Sequence, residues 1–302
     1  MCLKVALSSL IFLANNVLCR NAYPSLGSVH NFSYNELGDH TMVTDSEIFP
    51  YVCAILRKST YISAGALIDE SWVLTAGDAL FLVRESAREL RVRLGSINYK
   101  KGGILTPIKL FEIHPYFSDT KPEFDIALIK LPKPVRLTPN LNPIRLQKRT
   151  REVTATHYIV TSWPMPLLQQ LKSMEMIKRR RILTVSHLHP SNPEKCAEEM
   201  EGLDINATNT LMCLDLSIGM EPCSRDVGAP VVLNGILWGI ISSWKPEDCE
   251  LEAGPSFVTL VSPGDISSWI HSTVRGHRWS KRHTVKFEIA FLQSCITSGY
   301  KV

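Results

Sequence analysis

Short apolar runs, closely spaced and separated by Pro, Gly, Asn and Asp, are the feature that most limits how this chain can fold. Each run has the length of a β-strand and not of a helix, and closely spaced short strands indicate an all-β sandwich or barrel. Nearly half of the 302 residues are hydrophobic, so one or two domains with full cores can form. The runs are Val52–Leu56, Trp72–Thr75, Leu90–Leu94, Ile126–Leu131, Ile159–Thr161, Pro230–Leu233 and Leu237–Ser242.

Four sequence blocks lie on or beside these runs. They read GALIDESWVLTAGDA from Gly65, FDIALIKL from Phe124, CSRDVGAP from Cys223, and SWK from Ser243 with a cysteine at 249. In this order they resemble blocks of the trypsin-like serine proteases, whose nucleophile loop reads C-x-G-D-S-G-G-P. The resemblance covers about residues 45–272.

The resemblance implies two six-stranded antiparallel β-barrels with a cleft between them and a C-terminal helix. The barrels are expected at about 45–140 and 150–264, and the closing helix at 265–273. The division between the barrels is expected near residues 138–152, which are rich in proline.

By the same resemblance, Asp78, Asp125 and Val227 occupy the three positions of the family's Ser-His-Asp triad, and only the aspartate, Asp125, is kept. Valine has no atom that can attack a carbonyl, and a carboxylate is too weak a base to activate serine at neutral pH. We therefore expect no peptidase activity. If Asp78 lies against Asp125, one pKa should rise; otherwise Asp78 turns to water. We expect neither a metal nor a cofactor.

The specificity pocket and the activation switch are also altered. The pocket positions of the family correspond to Glu221, Lys245 and Ser256, and an ion pair between Glu221 and Lys245 is expected to block the pocket. Arg225 replaces a glycine of the oxyanion hole. In the family, a freed amino terminus pairs with the aspartate that corresponds to Asp226, but no activation site precedes the first strand here. We expect Asp226 to face solvent in a zymogen-like loop, or Arg225 to compensate its charge.

Outside the homology region, residues 1–19 have the pattern of a signal peptide, residues 20–44 of a polar arm, and residues 274–302 of a basic tail. Asn31 and Asn206 are in glycosylation sequons, and we expect a secreted protein without a transmembrane span. The tail is expected to be flexible or loosely docked; alternatively, it binds a partner or a membrane surface.

The cysteine pattern fits an oxidising compartment. The resemblance implies the disulfides Cys196–Cys213 and Cys223–Cys249. Two other family bridges are missing at both ends, where the chain has Ser63 with Ala79 and Tyr158 with Leu233. Cys53 and Cys295 have no family partners, so they are free or pair with each other.

The net charge of +4 indicates no particular partner, and no nucleic-acid-binding module is recognisable. The basic run Lys178–Arg181 is interpreted as a solvated loop or edge strand, with a processing site or an acidic-partner patch as alternatives. The function that we expect is a secreted inactive protease homologue that binds proteins. It resembles mammalian inactive paralogues of testis and sperm, which implies a role in sperm maturation or gamete interaction. The alternatives are a maturation helper in the secretory pathway and a weak serine endopeptidase.

Overall fold

The computed structural model describes residues 41–148, 155–163, 178, 181–205, 209–216 and 222–279, with the backbone alone at 277–279. The proposed signal peptide lies outside the described residues, as do Asn31, Asn206, Glu221, Cys295 and most of the predicted tail. The basic run is represented there only by Lys178 and Arg181.

The first sheet contains seven strands within the described residues, in the order β6-β5-β2-β3-β4-β8-β7. Their bounds are β2 Val52–Arg57, β3 Thr60–Asp69, β4 Trp72–Thr75, β5 Leu90–Leu94, β6 Ile104–Pro107, β7 Leu110–Ile113 and β8 Ala127–Lys130. A short helix α1, Gly77–Phe81, and a 3-10 helix, Arg84–Glu89, connect β4 to β5.

The two edge strands of this sheet are successive segments of the chain, and together they close it into a barrel. β6 pairs with β5, and β7 pairs with β8 at the other end of the sheet. Only Ile108 and Lys109 separate the two segments, and Pro107 has no N–H with which to continue the ladder. Counted as one bent strand, residues 104–113 complete a six-stranded barrel.

The second sheet contains eight strands within the described residues, in the order β1-β11-β10-β13-β14-β15-β12, with β9 parallel to β14. Their bounds are β1 Thr41–Met42, β9 Arg145–Leu146, β10 Tyr158–Ser162, β11 Thr184–Leu188, β12 Leu211–Leu214, β13 Pro230–Leu233, β14 Ile236–Ile241 and β15 Ser256–Leu260.

Six antiparallel strands of this second sheet also form a ring. Beyond the end of β11, Pro190 bridges to Leu214 of β12, and the N–H of Ser191 donates to the carbonyl of Cys213 at 3.0 Å. The hairpin from β13 to β14 turns through Asn234 and Gly235, both with positive φ, as a two-residue hairpin requires. The predicted all-β fold with two barrels is therefore confirmed.

Within the described residues, two helices with defined bounds accompany the second barrel. Helix α2, Pro193–Gly202, begins at the cap Asn192, whose side chain accepts from the backbone N–H of Glu194 at 2.8 Å. Helix α3, Gly264–Trp279, buries Ile266 and Ile270 in the core. The predicted C-terminal helix is thus present.

The two barrels share a continuous core. In β2, Cys53 and Ile55 pack inside the first barrel. Val52, Ala54 and Leu56 point the other way, into a larger cluster that includes Val231, Ile240 and Val258 of the second barrel. Because side chains alternate along a strand, this fully apolar run is buried on both faces.

The structure differs from three predicted boundaries by a few residues. The arm was expected to reach residue 44, but β1 pairs with β11, and Val43 is buried. The second barrel was expected from residue 150, but β9 already pairs with β14. Strands of two residues are too short to show an alternating pattern. The closing helix continues six residues beyond 273, because Val274 still packs against the core.

The disulfides Cys196–Cys213 and Cys223–Cys249 are present, with Cα–Cα distances of 5.8 and 5.1 Å. They are the two pairs that the resemblance implied. Cys53 is a free thiol that is buried inside the first barrel. Where the other two family bridges are absent, Ser63, Ala79 and Tyr158 are buried, and Leu233 packs against the core. In the part of the chain that the structure describes, no helix has the length and apolar character needed to cross a bilayer.

Candidate functional site

Asp125 is the buried centre of the cleft between the barrels. It is 1% exposed and follows Phe124, whose φ of +57° turns the chain immediately before β8. Its carboxylate accepts from the backbone N–H of Asp78 at 2.8 Å, the hydroxyl of Ser242 at 2.6 Å and the backbone N–H of Ser243 at 2.9 Å. Both barrels therefore supply donors to this carboxylate.

The Asp78 side chain completes a small network with the same residues. Helix α1 carries Asp78 in its first turn, and the hydroxyl of Ser243 donates to the Asp78 carboxylate at 2.7 Å. The same hydroxyl lies 3.4 Å from the carboxylate of Asp125. The structure thus brings Asp78 and Asp125 together, which is one of the two arrangements that the sequence left open, and links them through a serine.

Burial is the main reason that the pKa of Asp125 is raised above its ordinary value. The three hydrogen bonds lower this pKa, and the charge of Asp78 raises it by the smallest contribution. Desolvation, which the sequence-based reasoning did not include, therefore raises the pKa of Asp125 more than the neighbouring charge of Asp78 does. Asp78 is half-buried and hydrogen-bonded, so the alternative that it turns to water is wrong.

The loop that carries Val227 is pressed against the first barrel. The Val227 carbonyl accepts from the N–H of Ala64 at 2.9 Å and from the hydroxyl of Ser63 at 3.0 Å. The next residue, Gly228, has φ of +73°, and a Cβ there would lie 2.1 Å from the Ser63 hydroxyl oxygen. Only glycine fits this approach.

Asp226 is 9% exposed, so the expectation that it faces solvent is wrong. The hydroxyl of Ser162, at the end of β10, donates to its carboxylate. Arg225 does not compensate this charge either, because its guanidinium donates to backbone carbonyls instead. No sequence pattern indicated a role for Ser162, since a serine at the end of a strand is ordinary.

Of the three pocket positions, the structure describes two. Ser256 is buried at the start of β15, and Lys245 is exposed at the mouth of the cleft. The side chain of Arg225 lies between the stretches that hold Pro222 and Ala253, close in sequence to pocket positions of the family. Sequence reasoning had considered Arg225 only for the oxyanion hole and for the charge of Asp226. The sequence feature that could have indicated this placement is a long cationic side chain at a position where the family has glycine.

Two cavities form the open part of the cleft. One, of about 370 Å³, is lined by Asp78, Asp125, Ser243 and the segment 117–121. The other, of about 790 Å³, lies between helix α2 and the segment 244–247. Both are lined by Thr120, Trp244, Lys245 and Glu247, so they form one groove. Among the described residues, no three His, Cys, Asp or Glu side chains are grouped so as to hold a metal ion.

Comparisons with known proteins match this geometry. The family model described as Trypsin matches residues 39–270. Hypodermin-A of Hypoderma lineatum is 30% identical over 224 residues, which are 72% of this chain and 80% of the relative. Human kallikrein-11 is 27% identical over 237 residues, which are 76% of this chain and 77% of the relative.

Among solved structures, neuropsin, a serine protease expressed in the limbic system of mouse brain, matches with a TM-score of 0.60 and 23% sequence identity. The match covers 77% of this chain and 98% of neuropsin, which supports the two-barrel fold. Together with the family match over residues 39–270, these similarities establish that the chain belongs to the trypsin family.

Proposed function

We propose that this member of the trypsin family is secreted, has no peptidase activity and binds other proteins through the groove. The proposal is supported by the pair Asp78 and Val227, which the sequence resemblance aligns with the general base and the nucleophile of the family. The Asp78 carboxylate is hydrogen-bonded to Ser243, and Val227 has no side-chain atom that could attack a carbonyl. Secretion is supported by the two disulfides.

The charges of the groove indicate the chemistry of its partner. Carboxylates outnumber cations around the larger cavity. Among the described residues that line it, Glu198, Glu199, Glu247 and Glu252 face Lys195 and Lys245, and the charge of Arg225 also acts on Glu199. Burial, and then the charge of Glu252, raises the pKa of Glu199. A basic segment of a partner would relieve this repulsion, so binding should weaken as salt screens the charges.

The loss of activity is tested with the purified full-length protein. We expect neither hydrolysis of a mixed peptide library nor labelling by a fluorophosphonate, which reacts with activated serines. The control is the double variant Asp78→His with Val227→Ser, which restores the side chains of the triad. Hydrolysis by the wild type that falls when Asp78 or Asp125 is replaced by alanine would contradict the proposal.

Binding through the groove is tested by cross-linking capture from native tissue, read by mass spectrometry. Reproductive tissue is the first source to use, because the sequence resemblance implies a sperm or gamete role. Glu247→Lys reverses a charge in the groove, and Glu70→Lys makes the same change at an exposed turn that lines neither cavity. We expect a partner that is lost with the first variant and kept with the second.

A third protein, ending at Trp279, separates the groove from the tail. A partner that is lost on this truncation but kept by Glu247→Lys would assign recognition to the tail and overturn the groove proposal. Retention of the protein in the endoplasmic reticulum, with no captured partner, would favour the maturation helper.

A further inference from the structure

Arg225 is buried in an unusual setting for an arginine. It is only 5% exposed, although arginine is seldom fully buried. Its Nη1 donates to the carbonyl of Pro222 at 2.8 Å and to that of Ser224 at 2.7 Å, and its Nη2 donates to the carbonyl of Ala253 at 2.6 Å. The guanidinium therefore bridges two separate stretches of the chain.

By the sequence resemblance, these two stretches correspond to walls of the family's specificity pocket. Residues 222–224 precede Arg225, and Ala253 lies three residues before Ser256, a predicted pocket position. The disulfide Cys223–Cys249 ties the stretches together. The side chain thus lies between walls that are fixed by a covalent bond.

The groups that hydrogen-bond to the Arg225 side chain are neutral. All three are backbone carbonyls, and the Nε has no hydrogen-bond partner among the described residues. Burial lowers the pKa of Arg225 to about 10, while the charge of Glu199 raises it. The planar fork of donors is what these carbonyls recognise, so another guanidinium or amidinium of the right size could use the same acceptors.

We propose that Arg225 is an internal ligand that fills a guanidinium-binding site between the pocket walls and closes it to arginine-like side chains and small amidines. This occupancy is independent of whether the protein has peptidase activity. The ion pair of Lys245 with Glu221 stays a prediction, because Glu221 lies outside the described residues, and Arg225 closes the site without it. A partner would accordingly bind in the groove without inserting an arginine between the walls.

The test is binding of benzamidine to the full-length protein, measured by calorimetry and by the shift in melting temperature. Arg225→Ala removes the internal guanidinium and leaves the three carbonyls in place. Arg84→Ala is the matched control, because Arg84 also donates to a carbonyl, that of Phe81 at 2.7 Å, but is exposed. Benzamide, the neutral analogue of the ligand, controls for nonspecific binding.

We expect benzamidine to bind Arg225→Ala at least tenfold more tightly than the wild type or Arg84→Ala, and benzamide to bind none of them. If benzamidine binds the wild type as tightly as it binds Arg225→Ala, the site is open and the proposal is overturned. A folded Arg225→Ala protein that binds no benzamidine would show that the carbonyls do not form a guanidinium site.

A second measurement on the wild type applies if Arg225→Ala does not fold. Phenylglyoxal modifies accessible guanidinium groups, and mass spectrometry reads each arginine separately. We expect Arg225 to react at least tenfold more slowly than Arg84 in the native protein and equally fast after unfolding. Equal native rates would overturn the proposal, because an exchanging side chain would not close the site.

Discussion

Replacing Gly228 with alanine should destabilise the protein far more than the same change at Gly235. Both glycines have positive φ, +73° and +69°, so the backbone cost for a residue with a Cβ is similar, about 1 kcal/mol. At Gly235, nothing lies within 4 Å of the added Cβ. The difference between the variants therefore isolates the contact of the Val227 loop with the first barrel.

At Gly228 the added Cβ would lie 2.1 Å from the hydroxyl oxygen of Ser63, 2.4 Å from the carbonyl oxygen of Ala64 and 2.6 Å from the hydroxyl oxygen of Thr75. One of these neighbours is backbone, so a change of rotamer cannot remove the overlap. Forcing extra atoms into a packed site costs about 1–3 kcal/mol or more. We expect a total loss of about 2–4 kcal/mol for Gly228→Ala and about 1 kcal/mol for Gly235→Ala.

The assay is urea unfolding followed by tryptophan fluorescence. With a slope of about 3 kcal/mol per molar urea, the midpoint of Gly228→Ala should lie about 0.3–1 M below that of Gly235→Ala. Adding Ser63→Ala should recover only part of the loss, because the Ala64 carbonyl remains. Equal midpoints for the two glycine variants would refute the inference that this loop is pressed against the first barrel.

Three further predictions concern buried polar groups. Because the pKa of Asp125 is raised, the folded protein keeps a proton that the unfolded chain has released, so this residue makes the free energy of unfolding fall as the pH rises above the ordinary value of 3.8. Asp125→Asn should remove this contribution to the pH dependence in urea titrations between pH 4 and 7. An unchanged pH dependence would contradict the raised pKa. Ser162→Ala should lower the free energy of unfolding by about 1–3 kcal/mol, because the carboxylate of Asp226 loses a hydrogen-bond donor. A loss no larger than that of Ser272→Ala, which removes an exposed hydroxyl, would contradict this prediction. Burial raises the pKa of the Cys53 thiol, so iodoacetamide should label Cys53 only after unfolding, and labelling of the native protein would place the thiol at the surface.

The fold was predictable because its strands are long enough to show their pattern. The run in β2 is apolar at consecutive positions, as a strand buried on both faces must be, and the four blocks fixed the order of the elements. β1 and β9 were missed because a two-residue strand is specified by its partner, not by its own side chains. The extent of helix α3 depended on whether Val274 reaches the core, which only packing decides.

The sequence indicated which residues of the site lie near one another, but not which hydrogen-bond partners their charged groups have. Asp78 and Asp125 follow from motif positions. The hydroxyl of Ser243 that joins them depends on the rotamers of three side chains, which the sequence does not encode locally. Arg225 was placed correctly along the chain, but its direction was not, because a long side chain can reach several sets of acceptors from one Cα position.

The pairing of β1 with β11 sets an order of events during synthesis. Met42 pairs with Thr184, about 140 residues later in the sequence. At about 5–20 residues per second, the partner strand leaves the ribosome roughly 7–28 s after β1. The strands of the first barrel are all made within that interval and can pair with one another, whereas β11, the ladder partner of Thr41–Met42, is made later. The pairing of β1 with β11 is therefore a late step, and a synthesis-coupled protection assay should find this pairing absent while the first barrel is already closed.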